Sequence, residues 1–267
     1  MPLSPLLSAY DHVLLDLDGC VWVGDVCTRA AAEAVAELRA AGKAVAFLTN
    51  GARYSPEEYV RKLWSLGLRA SLEEVVTVGA AIQFELAGGG HGHSAYVIGS
   101  PAIHRHVADA GLAILDHSAD RAAQADVVVV AGHDELHFDE LRGATQAVLG
   151  GAQMLCAGRD RTYPAQNGIC PGTGAIVAAL EYATARTAVS VGKPEPQIFR
   201  TALDRLGPGR TLVVGDRLDS DLAGAAAAGL DAAIVLTGVS TLDQAEGARE
   251  PAPVAIAQDL HSLLLSA

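Results

Sequence analysis

The sequence contains few aromatic and few basic residues, and each shortage limits what the protein can be. Aromatic residues make up 4% of the 267 residues although 50% are hydrophobic, so a core must be built mainly from Ala, Val and Leu. With 19 Lys and Arg against 31 Asp and Glu, the formal net charge is −12. This balance argues against a surface that binds nucleic acid, while a locally positive pocket would still admit a small phosphate ester.

Cysteines and long apolar runs are also scarce. The cysteines, Cys20, Cys27, Cys156 and Cys170, show no paired C-x-x-C spacing. No apolar stretch is long enough to cross a bilayer, and the chain does not start with a basic segment followed by an apolar one, as a secretory signal would. We therefore expect a soluble, cytoplasmic protein with reduced thiols and no membrane partner.

Polar residues follow three short apolar runs of this chain. The runs, each with the residue that follows it, are Val13–Leu15 before Asp16, Val45–Leu48 before Thr49, and Thr211–Val214 before Gly215. Apolar runs bounded by Gly or polar residues are typical of buried parallel strands. In an open α/β sheet, ligands bind outside the carboxyl ends of the strands. The polar residues should therefore meet at one sheet edge, although the sequence scatters them.

The residue types at these positions suit the movement of a phosphoryl group through an aspartyl intermediate. Asp16 is the predicted nucleophile, because a carboxylate can accept a phosphoryl group and split one hard displacement into two easier ones. Asp18 is predicted to act as general acid toward the leaving group and later as base toward water. Because two carboxylates repel a phosphate, a divalent cation and a lysine are needed to offset their charge.

The cation that these residues predict is Mg²⁺, which prefers oxygen ligands and keeps several waters. Its predicted ligands are the Asp16 carboxylate, the backbone carbonyl of Asp18 and the Asp216 carboxylate. Asp221 is predicted to orient the ligands from behind without binding the metal, with Ser220 or Asp219 capping the following helix. The predicted phosphate-binding groups, a compact charge and hydrogen-bond donors, are Lys193, Thr49 and Asn50.

Four segments together resemble the motifs of the haloacid dehalogenase superfamily. They are Asp16-Leu17-Asp18-Gly19 with Trp22, Leu48-Thr49-Asn50, Val191-Gly192-Lys193-Pro194, and Gly215-Asp216-Arg217-Leu218-Asp219-Ser220-Asp221. The subfamily to which the chain is most similar is the C2-capped group of p-nitrophenyl phosphatase, phosphoglycolate phosphatase and pyridoxal phosphatase type. A lone D-x-D-G also occurs in acidic turns and calcium loops. Four motifs in order extend the resemblance over nearly the whole chain.

The resemblance implies an α/β fold: a Rossmann-like, doubly wound parallel sheet with an inserted α/β C2 cap domain. The predicted core comprises residues 1–80 and 186–267, and the predicted cap comprises residues 81–185. The sequence supports an insertion, because a glycine-rich stretch at 87–92 precedes further predicted strands and helices. The core pattern is expected to resume at Val189–Lys193.

Substrate choice is expected to depend on Cys156–Pro164, here called the cap loop, which in the resembled family faces the active site. Its polar groups include Arg159, and Asp160 and Tyr163 join the predicted binding residues. For Asp160, a pairing with Arg161 is an equally good interpretation. The sequence departs from the family pattern at Ala157-Gly158, at Tyr163, and at Gly51, which follows Asn50 in the phosphate-binding segment where a second Asn is frequent.

The implied activity is Mg²⁺-dependent hydrolysis of a small phosphomonoester: phosphoglycolate, glycerol phosphate, a sugar phosphate or a nucleotide. A phosphotransferase or mutase would use the same aspartyl intermediate but pass the group to an acceptor hydroxyl. A catalytically silent, phosphate-binding regulator is disfavoured, since the predicted nucleophile, acid, lysine and metal ligand are all present. The expected partners are the metabolite and a second copy, as a homodimer through the cap.

Overall fold

The computed structural model describes residues 2–116, 119–132, 135–165 and 168–266. The strands are β1 His12–Asp16, β2 Trp22–Val23, β3 Val26–Cys27, β4 Ala44–Thr49, β5 Val75–Thr77, β6 Ser94–Gly99, β7 Ala113–Ile114, β8 Val127–Gly132, β9 Gln153–Cys156, β10 Thr162–Ala165, β11 Gly168–Pro171, β12 Val189–Ser190, β13 Thr211–Gly215, β14 Asp231–Val235 and β15 Ala255–Ala257. The α-helices are α1 Ala31–Ala40, α2 Pro56–Ser65, α3 Val78–Ala87, α4 Pro101–Asp109, α5 Ala119–Ala122, α6 Phe138–Leu149, α7 Thr173–Thr184, α8 Pro196–Leu206, α9 Ala223–Ala227, α10 Leu242–Gly247 and α11 Leu260–Leu264. A 3₁₀ helix spans Pro5–Ala9, and a π-helical turn spans Leu218–Leu222.

The chain forms two compact units. The first, here the core unit, comprises Met1–Thr49, Pro56–Val76 and Lys193–Ala267. The second unit comprises Asn50–Ser55 and Thr77–Gly192. Among the described residues, no helix is both long and apolar enough to span a membrane.

The core unit is built on a six-stranded sheet in the order β15-β14-β13-β1-β4-β5. Strand β1 lies inside the sheet and pairs in parallel with β13 on one side and β4 on the other. All five residues of β1 are buried, as expected for an apolar strand that is covered on both faces. The three strands that the sequence predicted therefore form neighbouring strands of one sheet, and the predicted α/β class is confirmed.

The second unit has its own five-stranded sheet in the order β12-β9-β8-β6-β7, and all of its pairs are parallel. Four consecutive valines, Val127–Val130, are fully buried in β8. Strands β10 and β11 form a separate antiparallel pair. The glycine-rich stretch at 87–92 connects α3 to β6 within this unit, so it is a loop and does not link the two units.

The segment around Val189 belongs to a different sheet from the one expected. Val189 and Ser190 pair in parallel with Leu155 and Cys156 of β9, so they form an edge strand of the second unit. The expectation that the core pattern resumes at Val189 is therefore wrong, and the core unit resumes at Lys193. A two-residue apolar strand carries no periodicity that identifies its partner, and only the folded pairing assigns it.

Candidate active site

The candidate site lies at one edge of the core sheet, where the neighbouring strands β13, β1 and β4 end. Asp16 is the last residue of β1 and is in register with Leu48 of β4, so Thr49 lies at the same edge. Strand β13 is parallel to β1, and Asp216 follows it directly. The sheet therefore brings the predicted residues of three motifs together, as the strand-end argument requires.

Four charged side chains meet at this edge and are almost fully buried. Carboxylate oxygens of Asp16, Asp216 and Asp221 all lie within 4.8 Å of one another. The ammonium of Lys193 donates to Asp16 Oδ1 and, at 2.7 Å, to Asp221 Oδ1. Three carboxylates and one ammonium leave the cluster with two formal negative charges. Buried charge of this kind is neutralised either by protonation of a carboxylate or by a further cation.

The pKa values of the cluster reflect the cost of gathering these charges. Burial raises the pKa of Asp16 well above its usual range; the ammonium of Lys193 opposes this shift, and the charge of Asp221 adds to it. Burial and the charge of Asp221 raise the pKa of Asp216 to about 6. Burial alone would lower the pKa of Lys193, but Asp16 and Asp221 outweigh it and raise that pKa. Lys193 is therefore a permanent cation in the folded protein.

A loop after β14 fixes the Asp216 carboxylate. The backbone N–H of Val239 donates to Asp216 Oδ2 at 2.6 Å, and the N–H of Ser240 donates to the Asp216 carbonyl at 3.1 Å. A Cβ built on Gly238 would lie 1.9 Å from Oδ2, so only glycine fits there. Gly19, with φ of +90°, approaches the carboxylate from another side, because a Cβ there would lie 2.5 Å from Oδ2. These contacts hold Asp216 in one orientation.

The other oxygen of Asp216 is left open. Within the described part of the chain, Asp216 Oδ1 is buried and has no hydrogen-bond partner. A buried carboxylate oxygen without a donor is costly, and a cation would satisfy it. The surrounding ligand atoms are carboxylate oxygens, which Mg²⁺ prefers. The residues present therefore fit Mg²⁺, with Asp16 and Asp216 as the carboxylate ligands and the Asp18 carbonyl, in the turn after β1, as the third ligand predicted from the sequence.

Asp221 has both carboxylate oxygens engaged by the chain. Oδ1 accepts from Lys193, and Oδ2 accepts from the backbone N–H of Arg217 at 3.1 Å. Asp221 therefore suits the predicted role of orienting its neighbours. The expectation that Ser220 or Asp219 caps the next helix is wrong. The π-helical turn starts after Arg217 without a side-chain cap, because Asp219 instead pairs with the Arg217 guanidinium at 3.0 and 3.1 Å.

Asp18 lies outside the buried cluster and is exposed. Its Oδ1 accepts a hydrogen bond from the indole Nε1 of Trp22 at 2.8 Å. A carboxyl group that water can reach is suited to giving a proton to a leaving group and taking one from water. The position of Asp18 is thus compatible with its predicted role.

The other predicted binding residues belong to the second unit. Asn50 and Gly51 follow β4 directly and cluster with that unit, as does Asp160, and Tyr163 lies in β10. A Cβ built on Gly158 would lie 3.2 Å from Asp160 Oδ2 and 3.7 Å from Asn50 Nδ2. The glycine that departs from the family pattern therefore lies between an amide and a carboxylate that were both predicted to bind substrate.

Arg159 of the cap loop has partners within the second unit. Its guanidinium donates to Glu181 at 2.8 and 3.2 Å and to the carbonyl of Ala188 at 2.8 Å. Arg159 is one of the polar residues through which the cap loop is expected to select the substrate, and that role stays a prediction. In the structure it forms a bidentate ion pair with Glu181 of α7, which the distance between these residues along the sequence does not reveal.

Two contacts of the site escaped the sequence analysis. The bond from Trp22 to Asp18 spans four positions, and a tryptophan four residues after a carboxylate that is predicted to be catalytic is a signal that could have indicated it. The contacts of Gly238 and Val239 with the Asp216 carboxylate join segments that are far apart in the sequence. The sequence signal for this contact is Gly238, which follows Thr237 shortly after the apolar strand β14 ends at Val235.

Comparisons with known proteins agree with this geometry. Residues 13–113 match the family of haloacid dehalogenase-like hydrolases, and residues 190–263 match a HAD-hydrolase-like family. The D-glycerol 3-phosphate phosphatase of Mycobacterium tuberculosis is 36% identical over 264 residues, which cover 98% of this chain and 73% of that relative. The acid sugar phosphatase of Staphylococcus aureus is 30% identical over 247 residues, covering 92% of this chain and 93% of that relative.

Solved structures lead to the same family. The glycerol phosphate phosphatase of Mycobacterium tuberculosis in complex with magnesium has a TM-score of 0.91 and is 36% identical, covering 99% of this chain and 79% of its own. The same protein in complex with calcium also has a TM-score of 0.91, at 35% identity, covering 98% and 77%. The chain therefore belongs to the haloacid dehalogenase-like hydrolases. The predicted family, fold class and Mg²⁺-dependent phosphatase activity are confirmed by these relatives.

We expect Mg²⁺ affinity to depend on pH through Asp216. In the metal-free protein its pKa is about 6, above the usual value of 3.8, so the folded chain loses stability as pH rises through 6 and Asp216 ionises. Mg²⁺ binds the ionised form and must displace a proton below pH 6. The dissociation constant should therefore rise at least about tenfold per pH unit below 6, and more steeply where Asp16, whose pKa is also raised, binds a proton as well. Isothermal titration calorimetry between pH 5 and 8 measures this.

Asp216→Asn is the matched control for that titration. The amide keeps the size of the side chain but cannot ionise, so its weaker Mg²⁺ binding should lose the part of the pH dependence that Asp216 contributes near pH 6. Equal pH dependence in both proteins would assign the titration to another group.

Proposed function

We propose that the chain hydrolyses phosphomonoesters in two steps, with Asp16 carrying the phosphoryl group between them. The observation that carries this proposal is the buried cluster, in which the Asp16 carboxylate lies at a strand end beside the cation Lys193. The open oxygen of Asp216 in the same cluster supports a site for Mg²⁺. Mg²⁺ supplies the positive charge that allows an anionic phosphate to approach these carboxylates.

In the first step, an Asp16 carboxylate oxygen attacks phosphorus and the bond from phosphorus to the leaving oxygen breaks. Protonated Asp18 gives its proton to that oxygen, which leaves as an alcohol. The charge of Lys193 stabilises the transferring group and orients the nucleophile. The proposed phosphate ligands are Thr49, Asn50, Gly51 and Lys193.

In the second step, water attacks the phosphorus of the aspartyl phosphate. Asp18, now ionised, takes a proton from that water, and the bond between phosphorus and the Asp16 oxygen breaks. Inorganic phosphate leaves, Asp16 is again a carboxylate, and Asp18 is again protonated. The exposure of Asp18 supports this exchange, since its carboxyl group can meet both the leaving group and water.

The second unit is proposed to act as a C2 cap that selects the substrate through Asp160 and Tyr163. The proposed substrate class is a small polyol or sugar phosphate. The names of the two relatives support this narrowing, since one acts on D-glycerol 3-phosphate and the other is an acid sugar phosphatase. The division into a core of 1–80 and 186–267 and a cap of 81–185 stays a prediction, except at residues 189–192, which belong to the second unit.

We also propose a cytoplasmic enzyme without nucleic-acid or membrane partners that forms a homodimer through the second unit. The four free cysteines are compatible with a reducing compartment. The negative charge disfavours polyanions. Phe138 on α6 and Tyr182 on α7 are 78% and 93% exposed, and these packed helices offer apolar surface for a second copy.

A panel of phosphorylated metabolites tests the proposed function. Glycerol phosphates, sugar phosphates, phosphoglycolate and nucleotides are incubated with enzyme in Mg²⁺ or in EDTA, and both inorganic phosphate and organic product are quantified. We expect phosphate release with Mg²⁺ alone and highest kcat/KM for a polyol or sugar phosphate. A phosphorylated organic product without free phosphate would instead indicate a phosphotransferase or mutase.

Asp160→Ala should change which ester is accepted. Loss of a hydrogen bond from a charged group costs about 1.5–3 kcal/mol, so KM for the best metabolite should rise about 10-fold or more, with little change for p-nitrophenyl phosphate. Steady-state kinetics on both substrates measures the difference. Asp139→Ala, an exposed carboxylate paired with Arg142 on the same unit, is the matched control and should change neither KM. Equal losses on all esters would assign Asp160 to folding.

A further inference from the structure

Trp22 is a buried tryptophan whose only polar atom is bonded to an exposed carboxylate. Its side chain is 0% exposed, and Nε1 donates to Asp18 Oδ1 at 2.8 Å. The turn between them is closed by the backbone: the N–H of Gly19 donates to the Trp22 carbonyl at 2.7 Å, and the N–H of Trp22 donates to the Leu17 carbonyl at 3.1 Å. The indole therefore reaches Asp18 from within a fixed turn.

The ring of Trp22 contacts two side chains of α2. Tyr59 of α2 stacks on it, with ring centroids 6.4 Å apart and planes 9° from parallel. The Lys62 ammonium lies 4.6 Å from the Trp22 ring centroid. The same ammonium donates to the Gly24 carbonyl at 2.9 Å and pairs with Asp25 at 3.2 Å, which ties α2 to the β2–β3 hairpin. A ring held in this way directs its N–H along one line.

We infer that Trp22 is a positioning residue that orients Asp18 for proton transfer, an inference that rests on the proposed two-step hydrolysis. An indole N–H can only donate, so the Asp18 oxygen that it contacts stays an acceptor. Since the carbonyl oxygen of a protonated carboxyl group is its better acceptor, this bond to Oδ1 favours the Asp18 proton on Oδ2. It passes from Oδ2 to the leaving oxygen in the first step, and a proton of water returns to Oδ2 in the second.

Without this bond, the Asp18 carboxyl group would rotate freely at an exposed position. Proton transfer would then require the correct rotamer and the correct oxygen at the moment when the bond to phosphorus breaks. Loss of this bond should therefore slow the cleavage of esters whose leaving oxygen needs a proton. It should not slow the cleavage of p-nitrophenyl phosphate, whose phenolate leaves without one.

Trp22→Phe tests the inference, since it keeps an aromatic ring for Tyr59 and Lys62 but removes the N–H. The quantity compared is kcat/KM, which contains only steps up to the first cleavage of the ester, with an alkyl phosphate and with p-nitrophenyl phosphate. General acid catalysis supplies about 10²–10⁴-fold, and we expect the variant to lose about 10-fold or more of it on the alkyl ester. The p-nitrophenyl ester should change less than about twofold.

Two further variants separate positioning from support of the fold. Thr28→Val removes a hydroxyl that donates to the Cys20 and Val21 carbonyls in the same turn, so it perturbs the turn without touching Asp18. It should lower the melting temperature and leave the ratio of the two kcat/KM values unchanged. In an Asp18→Asn background, Trp22→Phe should cause no further loss on the alkyl ester, because both changes remove the same function.

Equal losses on both esters in Trp22→Phe, or full additivity with Asp18→Asn, would overturn the inference. If Trp22→Phe does not fold, benzothienylalanine replaces Trp22 in a Trp64→Phe background. This residue exchanges the indole N–H for sulfur in a ring of the same shape. The expected changes in the two kcat/KM values are the same as for Trp22→Phe. Failure of the proposed function is distinguishable, because the wild-type enzyme would then show no Mg²⁺-dependent cleavage of either ester.

Discussion

Replacing Asp16 with Asn should abolish turnover while leaving the fold intact. The amide keeps the size of the side chain and an oxygen near the metal position, but it cannot form an acyl phosphate. We expect kcat to fall by at least about 10⁴-fold on every ester, within the range seen when a covalent nucleophile is removed. The melting temperature of the metal-free protein should not fall, because the change removes one charge from a buried cluster that has an excess of negative charge.

Asp11→Asn is the control for that variant. Asp11 precedes the same strand at its opposite end, is exposed, and accepts a hydrogen bond from the Arg210 backbone N–H at 2.9 Å. An amide oxygen can accept the same bond, so wild-type kinetics are expected. Appreciable activity of Asp16→Asn, measured after its mass has excluded conversion back to aspartate, would rule out Asp16 as nucleophile.

The second large effect concerns the metal. Asp216→Ala should raise the Mg²⁺ concentration needed for half-maximal activity by more than about 100-fold, since losing even a group that supports a ligand costs 10–100-fold in metal affinity. The KM for substrate at saturating metal should change far less. Titrations of activity with Mg²⁺, together with calorimetry of Mg²⁺ binding without substrate, measure both effects.

Asp219→Ala is the matched control, because Asp219 is an exposed carboxylate on the same segment that pairs with Arg217. Its Mg²⁺ requirement should equal that of the wild type. Full wild-type activity after exhaustive EDTA treatment would contradict the metal assignment. Ca²⁺ should inhibit weakly, since it prefers more ligands at longer distances and disturbs the in-line geometry.

The sequence was sufficient to predict which residues meet in the centre of this site, because residues that directly follow the strands of a parallel sheet lie at the same sheet edge. An apolar run that ends in a polar residue predicts both a buried strand and the edge to which the residue is delivered. Asp16, Thr49 and Asp216 follow three such runs, and the sheet order β13-β1-β4 places them side by side. Lys193 follows no core strand, so its prediction depended on the need for a cation beside the carboxylates and on the family resemblance, and not on a strand end.

What the sequence could not predict are the contacts that arise from tertiary structure. The local sequence does not indicate that Val189 pairs with Leu155, or that the Arg159 guanidinium forms an ion pair with Glu181. The need for glycine at position 238 likewise becomes clear only from the structure, in which the Asp216 carboxylate lies where a Cβ of residue 238 would be. In each case the partner is set by the packing of distant segments, for which hydrophobic periodicity contains no signal.

The most direct test of the two-step account is chemical trapping of the intermediate. Enzyme is mixed with an excess of p-nitrophenyl phosphate and Mg²⁺, quenched in acid within milliseconds, digested and analysed by mass spectrometry. We predict a single phosphorylated peptide whose modification maps to Asp16 and is released by hydroxylamine, as an acyl phosphate must be. Turnover with no phosphorylated peptide at any quench time, or with the phosphoryl group on another residue, would contradict the account.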